Sequence, residues 1–200
     1  MINVLRHPTR HVEEPGFVKK LLNDPRFGLF WLPIRVWLGL QWIEAASHKI
    51  GNPAWVDGGS ALKGFWEASV AVPATGRPPI SFDWYRSFIQ GMLDAQAYTW
   101  FAKLVAYGEL TIGIALVIGA FVGVAAFAAG FMNWNFMMAG SASSNPLLFV
   151  AAVGLILAWK VAGYIGADYF LLSWLGTPWG RKHQRKSEKL ELAPEGAAGD

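Results

Sequence analysis

Four apolar stretches, each close to the ~20 residues a helix needs to cross a bilayer core, constrain this chain more than any other feature. They run from about Phe27 to Ile50, Ala97 to Ile118, Val122 to Ala139 and Asn145 to Ala167. Their ends are punctuated. Asp24-Pro25 and Asn145-Pro146 each read as a cap followed by a first-turn proline, and Gly51-Asn52-Pro53 stops the first stretch. Only Gly119-Ala120-Phe121 separates the second from the third, which predicts a tight antiparallel hairpin. Hydrophobic residues make up 54% of the chain and charged ones 16%, against about a quarter charged in an ordinary soluble domain. The expected fold is an all-α membrane protein, a four-transmembrane-helix bundle.

Orientation follows from Lys and Arg. Residues 1–26 carry Arg6, Arg10, Lys19, Lys20 and Arg26, and residues 181–200 carry Arg181, Lys182, Arg185, Lys186 and Lys189. Both segments are therefore expected in the cytoplasm, flanking a membrane domain over 27–180 of a multi-pass protein in the cell (plasma) membrane. The far tail, a Glu/Ala/Pro/Gly mixture, reads as disordered. Met1 to Arg26 has no apolar run of the kind a secretory signal needs. The segment between the first two spans, about 51–96, is expected outside. It is amphipathic near Ser60 to Val70 and Phe82 to Asp94, with a Pro/Gly break at 73–79. Two readings stay open for it: a lid over the outer mouth of the bundle, or an interfacial anchor set by Trp55, Trp66 and Trp84.

Cysteine is absent, which removes thiolate zinc sites, iron–sulfur clusters and CxxC chemistry from this chain. Of four histidines only His48 lies near a span, so a haem held by this chain alone is not expected, and no metal site is expected either. The net charge of +3 sits at the termini, where it sets topology and membrane-lipid contact rather than nucleic-acid binding.

Ionisable side chains at membrane depth are costly unless paired or hydrated, so they mark candidate function. From a rise of about 1.5 Å per residue, Arg35, Glu109 and Lys160 are expected at one inner level, and Glu44 and Lys103 at an outer one. At the inner level two cations share one carboxylate. The spare positive charge suits a quinone carbonyl or a small anion, with Glu109, Arg35 and Lys160 as candidate catalytic residues. Gln41, Glu44 and His48 form one helical stripe, and Lys160 shares a face with Tyr164. Glu44, His48, Lys49, Lys103, Asn133 and Tyr164 complete the candidate quinone-binding set. Asn133 and Asn135 also read as helix–helix contacts, and Gly113, Gly119 and Gly123 as sites of close helix approach.

Several segments together resemble the DoxX/DoxD-like membrane proteins. These are Trp37-Leu38-Gly39-Leu40-Gln41-Trp42-Ile43-Glu44 with His48-Lys49, then Asp57-Gly58-Gly59 and Gly108-Glu109 with Gly113. Met132-Asn133-Trp134-Asn135-Phe136 and Ala158-Trp159-Lys160-Val161-Ala162-Gly163-Tyr164 follow in order, across roughly residues 25–180. The resemblance implies a four-helix subunit related to the DoxD subunit of thiosulfate:quinone oxidoreductase. Such a subunit passes electrons from a sulfur compound to membrane quinone, usually with a partner subunit. The alternative is a non-catalytic structural or assembly subunit of a larger respiratory or photosynthetic membrane complex. A carrier is disfavoured by four short spans that show no break in sequence.

Overall fold

The computed structural model describes residues 14–176, and among these every regular element is helical. Expectations for Arg6, Arg10 and the basic 181–200 tail lie outside the described residues. A short helix α1 (Gly16–Asn23) leads into a 3-10 turn, Pro25–Phe27, whose Asp24 cap accepts from the Arg26 amide. The long helix α2 (Gly28–Ile50) follows, and Gly51 ends it. Next come α3 (Pro53–Val56), α4 (Ser60–Val70) and α5 (Asp83–Asp94), so both amphipathic stretches between the first two apolar runs are helical. Then come α6 (Tyr98–Ile118), α7 (Val122–Met138) and α8 (Asn145–Leu157).

Among the described residues one helix, Tyr98–Ile118, is long and apolar enough to cross a membrane; α7 and α8 are apolar but shorter. Helix α2 has the length, but Arg35, Glu44 and Lys49 interrupt its apolar character. The fourth expected stretch departs most from expectation. Instead of one helix to Ala167 it breaks into α8, α9 (Trp159–Ala162) and α10 (Asp168–Trp174). Gly163 sits at the break, where a Cβ would run into the Asp168 side chain. The cap at this stretch's start also shifts: Asn145 lies in the first turn and its amide donates to the Ser141 carbonyl at 2.9 Å.

Close approach of α2 and α6 is set by a glycine pair. A Cβ on Gly39 would stand 2.8 Å from the Gly113 carbonyl oxygen, and one on Gly113 2.8 Å from that of Gly39, so any side chain would force the helices apart. Around this seam Leu38, Trp42, Leu116, Val122, Ala126, Leu155 and Val161 form the main core. A second core at the α3–α5 end joins Leu62, Trp66, Ile80, Tyr85 and Ile89 to Ala102 and Ala139. The α4–α5 segment is thus packed onto the ends of α6 and α7. The three tryptophans expected at one boundary separate: Trp66 is buried against Phe101, Trp55 is half-buried and Trp84 is exposed. Tyr85 holds this end by donating to the Asn135 side-chain oxygen at 3.0 Å and its carbonyl at 3.1 Å. Burial pushes the Tyr85 hydroxyl up to about 12, so it stays a neutral donor at ordinary pH.

Candidate functional site

The expected level of Arg35, Glu109 and Lys160 does not form; the three residues occupy separate environments. Arg35 is 2% exposed and donates from Nη1 to the Ala162 carbonyl at 3.2 Å and from Nη2 to that of Ile165 at 3.0 Å. The broken fourth stretch supplies these carbonyls, since a continuous helix would have consumed them. Lys160 turns the other way and donates to Asn23 Oδ1 of α1 at 2.9 Å. Tyr164, just beyond α9, meets Tyr169 edge to face. Arg35, Lys160 and Tyr164 belong to the end of the bundle opposite α3–α5.

At that end Asp168 is buried beside Arg35, and sequence reasoning missed it. Its carboxylate accepts from the amides of Phe121 and Val122, the free donors at the start of α7. Its own amide donates to Gly119 O at 2.8 Å, and that of Ala167 to Ile118 O at 3.0 Å. One short segment thereby caps both sides of the α6–α7 hairpin. The available signal was an acid opening a helix after Gly163 and Gly166, a place where carboxylates meet free amides.

Glu109 finds its cation elsewhere. Its carboxylate is 1% exposed and takes Lys49 Nζ on both oxygens, at 2.7 and 2.9 Å. Lys49 roots at the end of α2, and its side chain folds back along the bundle to reach the middle of α6. On the way Nζ lies 5.2 Å from the centre of the Trp55 ring, a cation–π distance. The Glu44–Lys103 level is likewise not formed as a pair. Lys103 is exposed outside the cavity, whereas Glu44 and His48 stand exposed at its rim.

Lys49 and Glu109 line a partly open cavity of about 480 Å³ bounded by α2, α3, α4, α6, α7, the α7–α8 turn and the start of α8. Glu44, His48, Gln41 and Asn133 share the lining, and Ser141, Ser143 and Ser144 add hydroxyl-bearing residues. Asn133 is the decisive group. It is 0% exposed, and neither its amide nitrogen nor its oxygen has a partner among the described residues. The indole nitrogen of Trp42, which lines the cavity from α2, is also buried and has no partner among the described residues. Buried polar groups are nearly always bonded, so these atoms need partners from outside the chain, either water or a ligand.

The charge differs from expectation as well. Two carboxylates, Glu44 at the rim and Glu109 inside, line the cavity with one ammonium, Lys49, so acidic side chains outnumber Lys and Arg there, the reverse of the expected level. Such a lining favours a neutral head group with hydrogen-bonding oxygens over a small anion. Among the described residues no three His, Cys, Asp or Glu side chains gather to hold a metal ion. The arrangement can donate hydrogen bonds from Asn133, Trp42 and Lys49, and can exchange protons through Glu109 and His48. Compared with protein-family models, curated proteins and solved structures, the chain gives no match.

Proposed function

We propose that this chain is a four-span membrane protein and a membrane subunit of a quinone-linked oxidoreductase, with the quinone head group in the Lys49–Glu109–Asn133 cavity. The resemblance to DoxX/DoxD-like proteins favours this class, including a thiosulfate:quinone type with a partner subunit. The membrane reading draws support from large apolar side chains exposed on each long helix. These include Leu29 and Leu40 on α2, Leu104 on α6, Val124, Phe127 and Phe131 on α7, and Leu147, Val150 and Leu157 on α8. Exposed apolar side chains on every long helix suit lipid better than water as the surrounding solvent. With both termini inside, the α3–α5 end lies outside. Reporter fusions at Lys189 and near Gly76 are then expected on opposite sides of the membrane; the same side for both overturns the four-span topology.

The observation that carries the quinone reading is the orphaned Asn133 amide beside a buried ion pair. A quinone would supply two-electron, two-proton chemistry, and the residues present fit its head. The Asn133 amide can donate to one carbonyl oxygen, and Lys49 can orient the same face while neutralising Glu109. Glu109 and rim residue His48 can exchange protons with the outer side. The electron donor is assigned to the partner subunit.

Asn133→Leu tests this directly. Removing two unsatisfied buried groups is expected to raise the stability of the ligand-free protein by about 1–3 kcal/mol. Affinity for a tail-less benzoquinone should fall about tenfold, the loss of one hydrogen bond. Unfolding midpoints and equilibrium quinone binding measure the two effects. Higher stability with unchanged quinone affinity would remove the head group from this cavity. Normal quinone affinity but failed assembly with partner subunits would favour the alternative, a structural or assembly subunit.

A further inference from the structure

Next to the polar cavity lies a second chamber of about 460 Å³ with the opposite chemistry. Leu62, Phe65 and Phe136 line both, so they form the partition between them. The rest of the second lining is aliphatic and aromatic apart from two polar side chains, Tyr85 and Asn135. These satisfy each other. The Tyr85 hydroxyl donates to the Asn135 side-chain oxygen, and the Asn135 amide donates to the Phe131 carbonyl at 2.8 Å. Nothing in this lining calls for a polar ligand, whereas Asn133 and Trp42 next door do. Phe88, Leu104 and Phe131 line the chamber and are also more than half exposed on the outer surface, so it opens sideways through an apolar mouth. In the four-span reading that mouth faces lipid.

We propose that the two compartments are one site for a single amphiphile. Its head occupies the polar cavity, and its prenyl tail crosses the Leu62–Phe65–Phe136 partition, fills the apolar chamber and leaves toward lipid between α6 and α7. The head assignment rests on the quinone reading above; the tail assignment rests on the chamber. The substrate class is a membrane quinone with an isoprenoid tail, entering from the bilayer rather than from the outer aqueous side. Because such a tail is already in an apolar solvent, the gain on entry comes from close packing in the chamber rather than from leaving water.

Gly108 offers a clean test. It lines the chamber on α6, and a Cβ built there meets nothing within 4 Å, so a side chain can start into that space without a clash at its Cβ. Leu at this helical position also raises helix propensity, which protects folding. The experiment uses the full chain in phosphatidylcholine nanodiscs, a prenylquinone with a photoreactive group on its tail, and a tail-less benzoquinone. In the unmodified protein the tail is expected to label α4 and α6 segments around Leu62 and Phe101, and excess unlabelled prenylquinone should compete that labelling away. Gly108→Leu should abolish the competable labelling and leave tail-less binding unchanged, with Gly108→Ala close to the parent. Labelling that survives Gly108→Leu, or an equal loss of tail-less binding, overturns the tail assignment. If a prenyl alcohol competes as well as the quinone and Asn133→Leu affects neither, the quinone head fails while the prenyl chamber stands.

Discussion

Replacing Lys49 by Met is expected to cost about 3–5 kcal/mol of fold stability, because it leaves the Glu109 carboxylate buried without its cation. Both Glu109 oxygens rest on Lys49 Nζ, and the carboxylate is 1% exposed, so removing the ammonium leaves its charge without the cation that holds both oxygens. Glu109→Leu in the same chain is expected to return most of that stability, since an apolar pair of similar volume replaces a buried ion pair at little net cost. A double-mutant cycle on unfolding midpoints reads the coupling. Quinone turnover in the assembled complex then separates structure from chemistry. The double variant should fold and assemble yet fail to turn over, because the site has lost its proton-exchanging carboxylate and its orienting ammonium. Recovery of turnover along with folding would make the pair a helix-matching device and nothing more.

Helix positions were largely legible because their signals are local. Asp24-Pro25 does cap the turn into α2, the Gly119 hairpin does separate α6 from α7, and the amphipathic stretches at 60–70 and 82–94 do become the helices Ser60–Val70 and Asp83–Asp94. Partner choice was not legible, because the level of a Cα does not fix the level of its charge. A lysine side chain spans about one helical turn, roughly 5.4 Å along the axis. Lys49 sits in the last turn of α2, yet its ammonium meets Glu109 in the middle of α6. Glu109 is about as far from one end of α6 as from the other, so depth counted along the helix could not choose its partner. The break in the fourth stretch carried only glycines as a signal, and isolated glycines are tolerated inside helices. That break exposed the carbonyls that hold Arg35, which is why Arg35 left the candidate site. Lys160 and Tyr164 left it with the same rearrangement, while Glu44, His48, Lys49, Glu109 and Asn133 came together around one cavity.

Arg35 therefore has a different expected role from the one its depth implied, and its substitution should affect stability rather than chemistry. Its guanidinium sits where a Cβ on Gly119 or on Gly166 would collide with it, so its slot is shaped by two residues that lack side chains. There it closes the Ala162 and Ile165 carbonyls and places a positive charge beside Asp168, which in turn caps the amides of Phe121 and Val122. Arg35→Leu would leave two carbonyls unpaired at about 1–3 kcal/mol each and deprive the buried Asp168 of its nearby cation. A total loss of about 3–5 kcal/mol is expected, enough to deplete folded protein in membranes. Arg35→Lys should fall between, at about 1–3 kcal/mol, because a point-charge ammonium on a flexible stem cannot reproduce the planar fork. Unfolding midpoints measure both losses, and quinone affinity of the fraction that remains folded should match the parent for either variant. A well-folded Arg35→Lys protein that no longer binds quinone would return Arg35 to the site and place the ligand at the α9–α10 end instead.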